Sequence, residues 1–197
     1  MSIDSIDDRR WPFFIHGENT NTPQIYISEE ILSPDCYYPL YAFFRAGQPH
    51  QTYHMYINSP GGELGTTCQI LSAMFQCEAE IVGHLDYEAA SAAGVLLLGC
   101  DTWEVSPFSI FMAHADTGGY FGKRQEAMAQ YGFSRPWVDS WLETVYSGFL
   151  TPKEINLLLE GKDYYFGYEE ICERLRKLMK YRDKILKGGR RQVVEEQ

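Results

Sequence analysis

Two places in this 197-residue chain combine residue types and spacing that suit the breaking of an acyl bond. The first is Ser91, set between Ala90 and Ala92. Small neighbours permit a tight turn from strand to helix, which leaves the hydroxyl at a helix amino terminus, the end that favours negative charge. The second is Gly61-Gly62, which follows a strand candidate at Met55-Tyr56-Ile57. Neither glycine has a Cβ, so backbone N–H groups there approach a ligand closely and are candidate oxyanion donors. A serine nucleophile further needs a base to remove its proton and an acid to orient that base. Each feature taken alone has a plainer reading. A serine between alanines is usually a small polar residue tucked into a buried helix, and Pro-Gly-Gly is a common loop sequence. His114, at the end of an apolar strand, reads alone as a structural histidine, and Asp163, between Lys162 and Tyr164, as an exposed loop acid.

The elements that must position these residues follow from hydrophobic period. Residues 24–27 and 55–57 read as strands, 39–45 as a helix, and 66–75 as a helix whose apolar positions Cys68, Leu71, Met74 and Phe75 recur at three and four residues. Residues 81–85 follow as a strand. The nearly polar-free stretch 89–98 reads as a helix buried on all sides, with Ser91 near its beginning. Strands are expected at 103–105 and 110–113, then helices at 123–132 and 137–149 separated by Ser134-Arg135-Pro136, with Pro136 in the first turn of the second. Thr151 and Glu154 have capping-box spacing, and 168–186 is a last, charged helix. Strands alternating with helices give an α/β domain with helical crossovers. The length suits one such domain, expected at 24–186 between an irregular arm (1–23) and a mobile tail (187–197).

Composition narrows the function classes. Hydrophobic residues at 45% and charged residues at 22% describe a compact globular chain. No apolar run approaches the roughly 18 residues a membrane span requires, so no membrane partner is expected. The acidic start lacks the basic and apolar regions of a secretory signal, and five scattered cysteines favour buried thiols; together they point to a cytoplasmic protein. A net charge of −10 argues against nucleic acid as a partner. His16, His50, His54 and His84 show no metal-ligand spacing, so no metal is expected and they read as structural.

Four blocks taken together resemble the proteolytic subunit of the Clp protease family. They are Tyr56-Ile57-Asn58-Ser59-Pro60-Gly61-Gly62, Ala89-Ala90-Ser91 with Gly94 behind it, Phe111-Met112-Ala113-His114 with Gly118-Gly119-Tyr120, and Asp163-Tyr164-Tyr165-Phe166 leading to Glu169-Glu170. They stand in the family's order, with 29 residues from Gly62 to Ser91, 23 from Ser91 to His114 and 49 from His114 to Asp163. The resemblance covers roughly residues 24–180. It implies a spiral of ββα units like that of the Clp and crotonase folds, with a helical handle at about 123–160. It implies a triad of Ser91, His114 and Asp163, an oxyanion hole from the N–H groups of Gly62 and Ala92, and extended peptide pairing near Gly61, Glu63 and Leu64 on one side and Thr117, Gly118 and Gly119 on the other. It also implies two stacked seven-membered rings, unfolded polypeptide substrates, and a separate AAA+ unfoldase that uses ATP, with no cofactor held by this chain. Two other readings stand beside it: a ring subunit without activity, and a crotonase-type enzyme acting on acyl-coenzyme A. The chain departs from the family at Tyr87-Glu88, at Ala92 where a larger residue is typical, and at Gly161-Lys162 where an acid and an arginine are common.

Overall fold

A computed structural model describes residues 11–116 and 123–186 of the chain. In order, the elements are β1 (Phe14–His16), β2 (Gln24–Ile27), a short 3-10 turn (Pro34–Tyr37), α1 (Tyr38–Arg45), β3 (Thr52–Ser59), α2 (Leu64–Gln76), β4 (Glu80–Ala90), α3 (Ala92–Gly99), β5 (Thr102–Val105), β6 (Ile110–Ala113), α4 (Arg124–Tyr146), α5 (Pro152–Leu159), β7 (Tyr164–Gly167) and α6 (Tyr168–Leu186). This is the mixed α/β architecture expected. The chain divides into two compact units, one running to Met112 and including Phe166–Ile171, the other comprising Ala113–Tyr165 and the chain from Cys172.

The first unit is built on the sheet, ordered β1-β2-β3-β4-β6-β7 with β5 also on β4. β2, β3 and β4 run parallel, and β1 is antiparallel to β2. β1 lies inside the stretch expected to be irregular. Three residues leave no readable period, and the strand exists through its ladder to β2, from Phe14–Tyr26 to His16–Gln24. β4 is long enough to serve two neighbours on one edge, β5 along Val82–Leu85 and β6 along Glu88–Ala90. Alternation along β2 and β3 buries Ile25, Ile27, Tyr53, Met55 and Ile57 almost completely. Phe43 of α1 stacks on Tyr53 at 4.8 Å, and Leu40 and Phe44 of α1 with Ile70, Ala73 and Met74 of α2 extend the core. On the other face the register aligns Tyr26, Tyr56, His84 and Glu104 in one row across four strands. Tyr26 stacks on Tyr56 at 4.9 Å and Tyr56 on His84 at 4.3 Å. His54 Nδ1 lies 2.8 Å from His84 Nε2, and His84 Nδ1 lies 3.3 Å from the Glu104 carboxylate. Imidazoles read as structural thus hydrogen-bond one another.

In the second unit α4 runs unbroken where two helices were expected. Pro136 deprives the Gly132 carbonyl of a donor, yet the helix is pinned at the same place. Arg135 pairs with Asp139 at 2.9 Å and Asp116 at 3.4 Å, and donates to the Leu159 carbonyl at 3.1 Å. Tertiary anchoring outweighs the local breaker. The expected capping box is present at Thr151 and Glu154, with Pro152 in the first turn of α5. Arg174 of α6 grips the same carboxylate at 2.7 and 3.1 Å and donates to the Phe149 carbonyl at 3.1 Å.

Two pH dependences follow. The Arg174 guanidinium and the Thr151 bonds hold Glu154 at about 2, against an ordinary 4.5. A depressed carboxylate stabilises above the unfolded value, and that stability is lost as pH falls from about 4.5 through 2. Glu154→Gln lowers neutral-pH stability, on the order of 2 kcal/mol, and flattens this acid limb in denaturant titrations. His84 moves the other way. Burial, opposed by Glu104 and joined by His54, holds its pKa below the ordinary 6.5. Below 6.5 the unfolded chain therefore binds a proton that folded His84 refuses, and stability falls as the solution is acidified. His84→Gln flattens the slope between about pH 7 and 5 in thermal melts.

Candidate active site

β4 ends at Ala90 and α3 begins at Ala92, so the chain turns from strand to helix within the single residue Ser91. The sequence reading began the helix at 89. Instead Ala89 and Ala90 pair in parallel register with Phe111 and Met112. A run of alanines carries no period to show that boundary. The turn places Ser91 at φ 54° and ψ −124°, and it is the non-glycine residue with positive φ among those described. Such a conformation in an L-residue costs about 1–3 kcal/mol and persists only where its surroundings over-determine it. Here they do. The Ser91 N–H donates to the Met112 carbonyl at 2.9 Å, and the Ser91 carbonyl accepts from Val95 N–H at 3.2 Å, opening α3. Behind it residues 92–98 are all buried, as the lack of polar residues predicted. A Cβ at Gly94 would press the Phe111 ring at 2.9 Å, so glycine is what lets α3 settle against β6.

Ser91 is half-buried, and its side chain makes no capping bond to α3. Its neighbour across the fold is the turn after β3. Gly61 has φ +95°, and a Cβ there would lie 2.6 Å from the Ala90 carbonyl, 2.8 Å from Ser91 Cβ and 2.9 Å from Ala92 N. The backbone of Gly61 therefore packs directly on the strand-to-helix turn, and no larger residue fits. Gly62, at φ +147°, is as tightly held on its other side, where a Cβ would meet the Ile31 carbonyl at 2.2 Å. Ile31 and Gly62 form a parallel bridge in which Ile31 N–H donates to the Gly61 carbonyl and Glu63 N–H to the Ile31 carbonyl, both at 2.8 Å. The Gly62 N–H takes no part in that bridge and points to the opposite side. Gly61 is buried and Gly62 exposed. The structure thus brings Gly61 against Ser91 and Ala92, with Gly62 next in the chain packed on Ile31.

Of the remaining positions, Glu63 caps α2. Its carboxylate accepts from the N–H of Thr66, and although burial pushes its pKa up, the bonds from Thr66 and Gly65 hold it below the ordinary carboxylate value. Leu64 opens α2 and is half-buried. His114 directly follows β6, is half-buried and belongs to the second unit. Asp163 directly precedes β7, in the same second unit, and is exposed; beside it Lys162 Nζ sits 4.6 Å from the centre of the Tyr164 ring. Thr117, Gly118 and Gly119 lie outside the described residues. Sequence reasoning gave no role to Ile31, which tightens the Gly61-Gly62 turn through backbone bonds alone; nothing in its side chain signals that contact. Among the described residues no group of three or more His, Cys, Asp or Glu is placed to hold a metal ion.

The Clp protease family model matches residues 36–132, a span that contains the Gly61-Gly62 turn, Ser91, Ala92 and His114 and ends before Asp163. With a strained serine closing β4, a double glycine against it and this match across both, residues 36–132 of the chain are similar to the Clp protease family.

Proposed function

We propose that the chain is a cytoplasmic serine endopeptidase subunit that cuts unfolded polypeptide inside an oligomeric chamber, fed by an ATP-driven unfoldase of the Clp type. The carrying observation is Ser91 held at positive φ at the start of α3, with the Gly61-Gly62 backbone packed against it. In this reading Ser91 Oγ attacks the scissile carbonyl, His114 takes the proton and returns it to the leaving amine, and Asp163 keeps the imidazole oriented. The N–H groups of Gly62 and Ala92 receive the oxyanion. Extended peptide adds as a strand beside Gly61, Glu63 and Leu64 and beside Thr117–Gly119, so recognition runs through backbone and tolerates many side chains. The chain needs no cofactor of its own, because the unfoldase spends the ATP.

We assign the peptidase body to residues 24–186, with 1–23 as an arm, 187–197 as a tail and about 123–160 as the handle that joins two seven-membered rings. Support for assembly comes from α4, which exposes Phe133 at 80%, Met128 at 64%, Tyr131 at 55% and Trp137 at 51%. Apolar surface gathered on one helix is characteristic of an interface. An inactive ring subunit would have no use for a strained Ser91, and a crotonase-type thioester enzyme would not need the serine at all.

Two measurements test this. A fluorophosphonate probe labels the parent, label is lost in Ser91→Ala, and His114→Ala lowers peptide hydrolysis by at least about a thousandfold. Label that survives in Ser91→Ala removes the nucleophile, and turnover of acyl thioesters without peptide cleavage favours the crotonase reading. Separately, Phe133→Glu with Trp137→Glu lowers the sedimentation coefficient from that of a double ring; an unchanged value excludes α4 from the interface.

A further inference from the structure

The donor assigned to Gly62 sits in a loop that glycine leaves intrinsically free to turn. The 60–61 and 61–62 peptides flank Gly61, whose φ and ψ carry no Cβ penalty. Rotation of the 61–62 peptide by half a turn would replace the Gly62 N–H with the Gly61 carbonyl, an acceptor facing the developing oxyanion. Something must hold that peptide.

Part of the restraint comes from backbone. Because the 61–62 peptide is planar and trans, the Gly61 carbonyl and the Gly62 N–H point in opposite directions. Ile31 N–H, at 2.8 Å from the Gly61 carbonyl, therefore also sets the direction of the Gly62 N–H. The other part comes from one side chain. Ser59, the last residue of β3, is fully buried. Its Oγ donates to the Glu29 carbonyl at 2.6 Å and accepts from Gly61 N–H at 3.2 Å. The hydroxyl thus uses its proton on one strap of chain and its lone pair on the other. Thr66, also buried, completes the tie by donating from Oγ1 to the Leu32 carbonyl at 2.7 Å. Ser59 lies where the β3–β4 register shifts between Ile57 and Ser59, the place where the strand leaves its ladder to become the turn.

We infer that Ser59 is a positioning residue for the oxyanion donor: its hydroxyl pins Gly61 N–H to the 29–32 strap, and with Ile31 fixes the 61–62 peptide with Gly62 N–H toward the substrate. This rests on the hydrolase reading above. Ser59 touches no substrate, so its effect belongs to the charged transition state and not to ground-state binding. Alanine leaves Gly61 N–H buried without that acceptor and leaves the 61–62 peptide restrained by the Ile31 backbone alone.

The test uses the full-length assembled protein and a fluorogenic peptide. Ser59→Ala lowers kcat by about ten- to a hundredfold with KM within about twofold of the parent, and weakens inhibition by a peptide boronate, whose adduct on Ser91 is tetrahedral and anionic, by a similar factor. Ser59→Thr, which keeps the hydroxyl, recovers most of both. Should Ser59→Ala fail to fold, Ser59→Cys, close in shape but a weak acceptor, carries the same test. Unchanged kcat and boronate affinity overturn the inference. So does an equal loss in kcat and in binding of uncleaved peptide with no rescue by threonine, which would mark a general packing role. A parent that neither cleaves peptide nor takes fluorophosphonate label overturns the hydrolase reading itself, an outcome distinct from a competent parent indifferent to Ser59.

Discussion

The positive φ of Ser91 is possible because the backbone is gripped on both sides of it. β4 has paired with β6 up to Ala90, and the next N–H, that of Ser91, continues the pattern by reaching the Met112 carbonyl. Four residues on, Val95 N–H returns to the Ser91 carbonyl and the helix has begun. A residue costing about 1–3 kcal/mol in backbone strain is held by two hydrogen bonds and by the burial of the helix that follows. Most of the first unit can be understood as what this turn requires: a long β4 to deliver it, β6 to receive its N–H, and a helix with no polar side chain so that it sinks into the core.

The same constraint explains the glycines. At Gly61 the obstacle to a Cβ is the Ala90 carbonyl, Ser91 Cβ and Ala92 N; at Gly62 it is the Ile31 backbone; at Gly94 it is the Phe111 ring. Two of these obstacles are backbone or the serine itself, which cannot shift without moving the turn. The loop after β3 is therefore sandwiched between the 29–32 strap and the strand-to-helix turn, and its geometry is set by close backbone contact more than by sequence-specific side chains.

How much of this could be read beforehand depended on whether the determinant was local. β2, β6 and α6 lie where period and composition put them, because each shows enough residues of one pattern. The capping box at Thr151 was legible because the two residues that bond are three apart. The beginning of α3 was not, since alanine suits a strand end and a helix start equally and only the partner strand decides. Pro136 misled for a related reason: the residues that keep α4 whole, Asp116 and the Leu159 carbonyl bound by Arg135, are distant in sequence. β1 and β7 are short strands with no readable alternation, made by their neighbours in the sheet. At the site, the residue types of Gly61, Gly62 and Ser91 signalled chemistry and motif order tied them together, whereas the contribution of Ile31 is purely main-chain and has no residue type to signal it.

α3 supplies the last step. Helices ordinarily satisfy their first N–H groups with a side chain at the cap, and serine is among the best residues for that purpose. Ser91 occupies the cap position of α3 at positive φ, outside the extended conformation of an ordinary cap, and its side chain makes no such bond. A buried helix of eight residues is thus begun without the capping bond its sequence would allow. In surroundings this apolar, N–H groups at a helix start exert a stronger pull on negative charge than they would in water. The same turn leaves Ala92 N beside Gly61, so in the proposed reaction one strained residue would present the hydroxyl and keep a donor for the charge its attack would create. Relaxing that strain would free Ser91 to act as an ordinary cap, so the role proposed for Ser91 depends on the strained form.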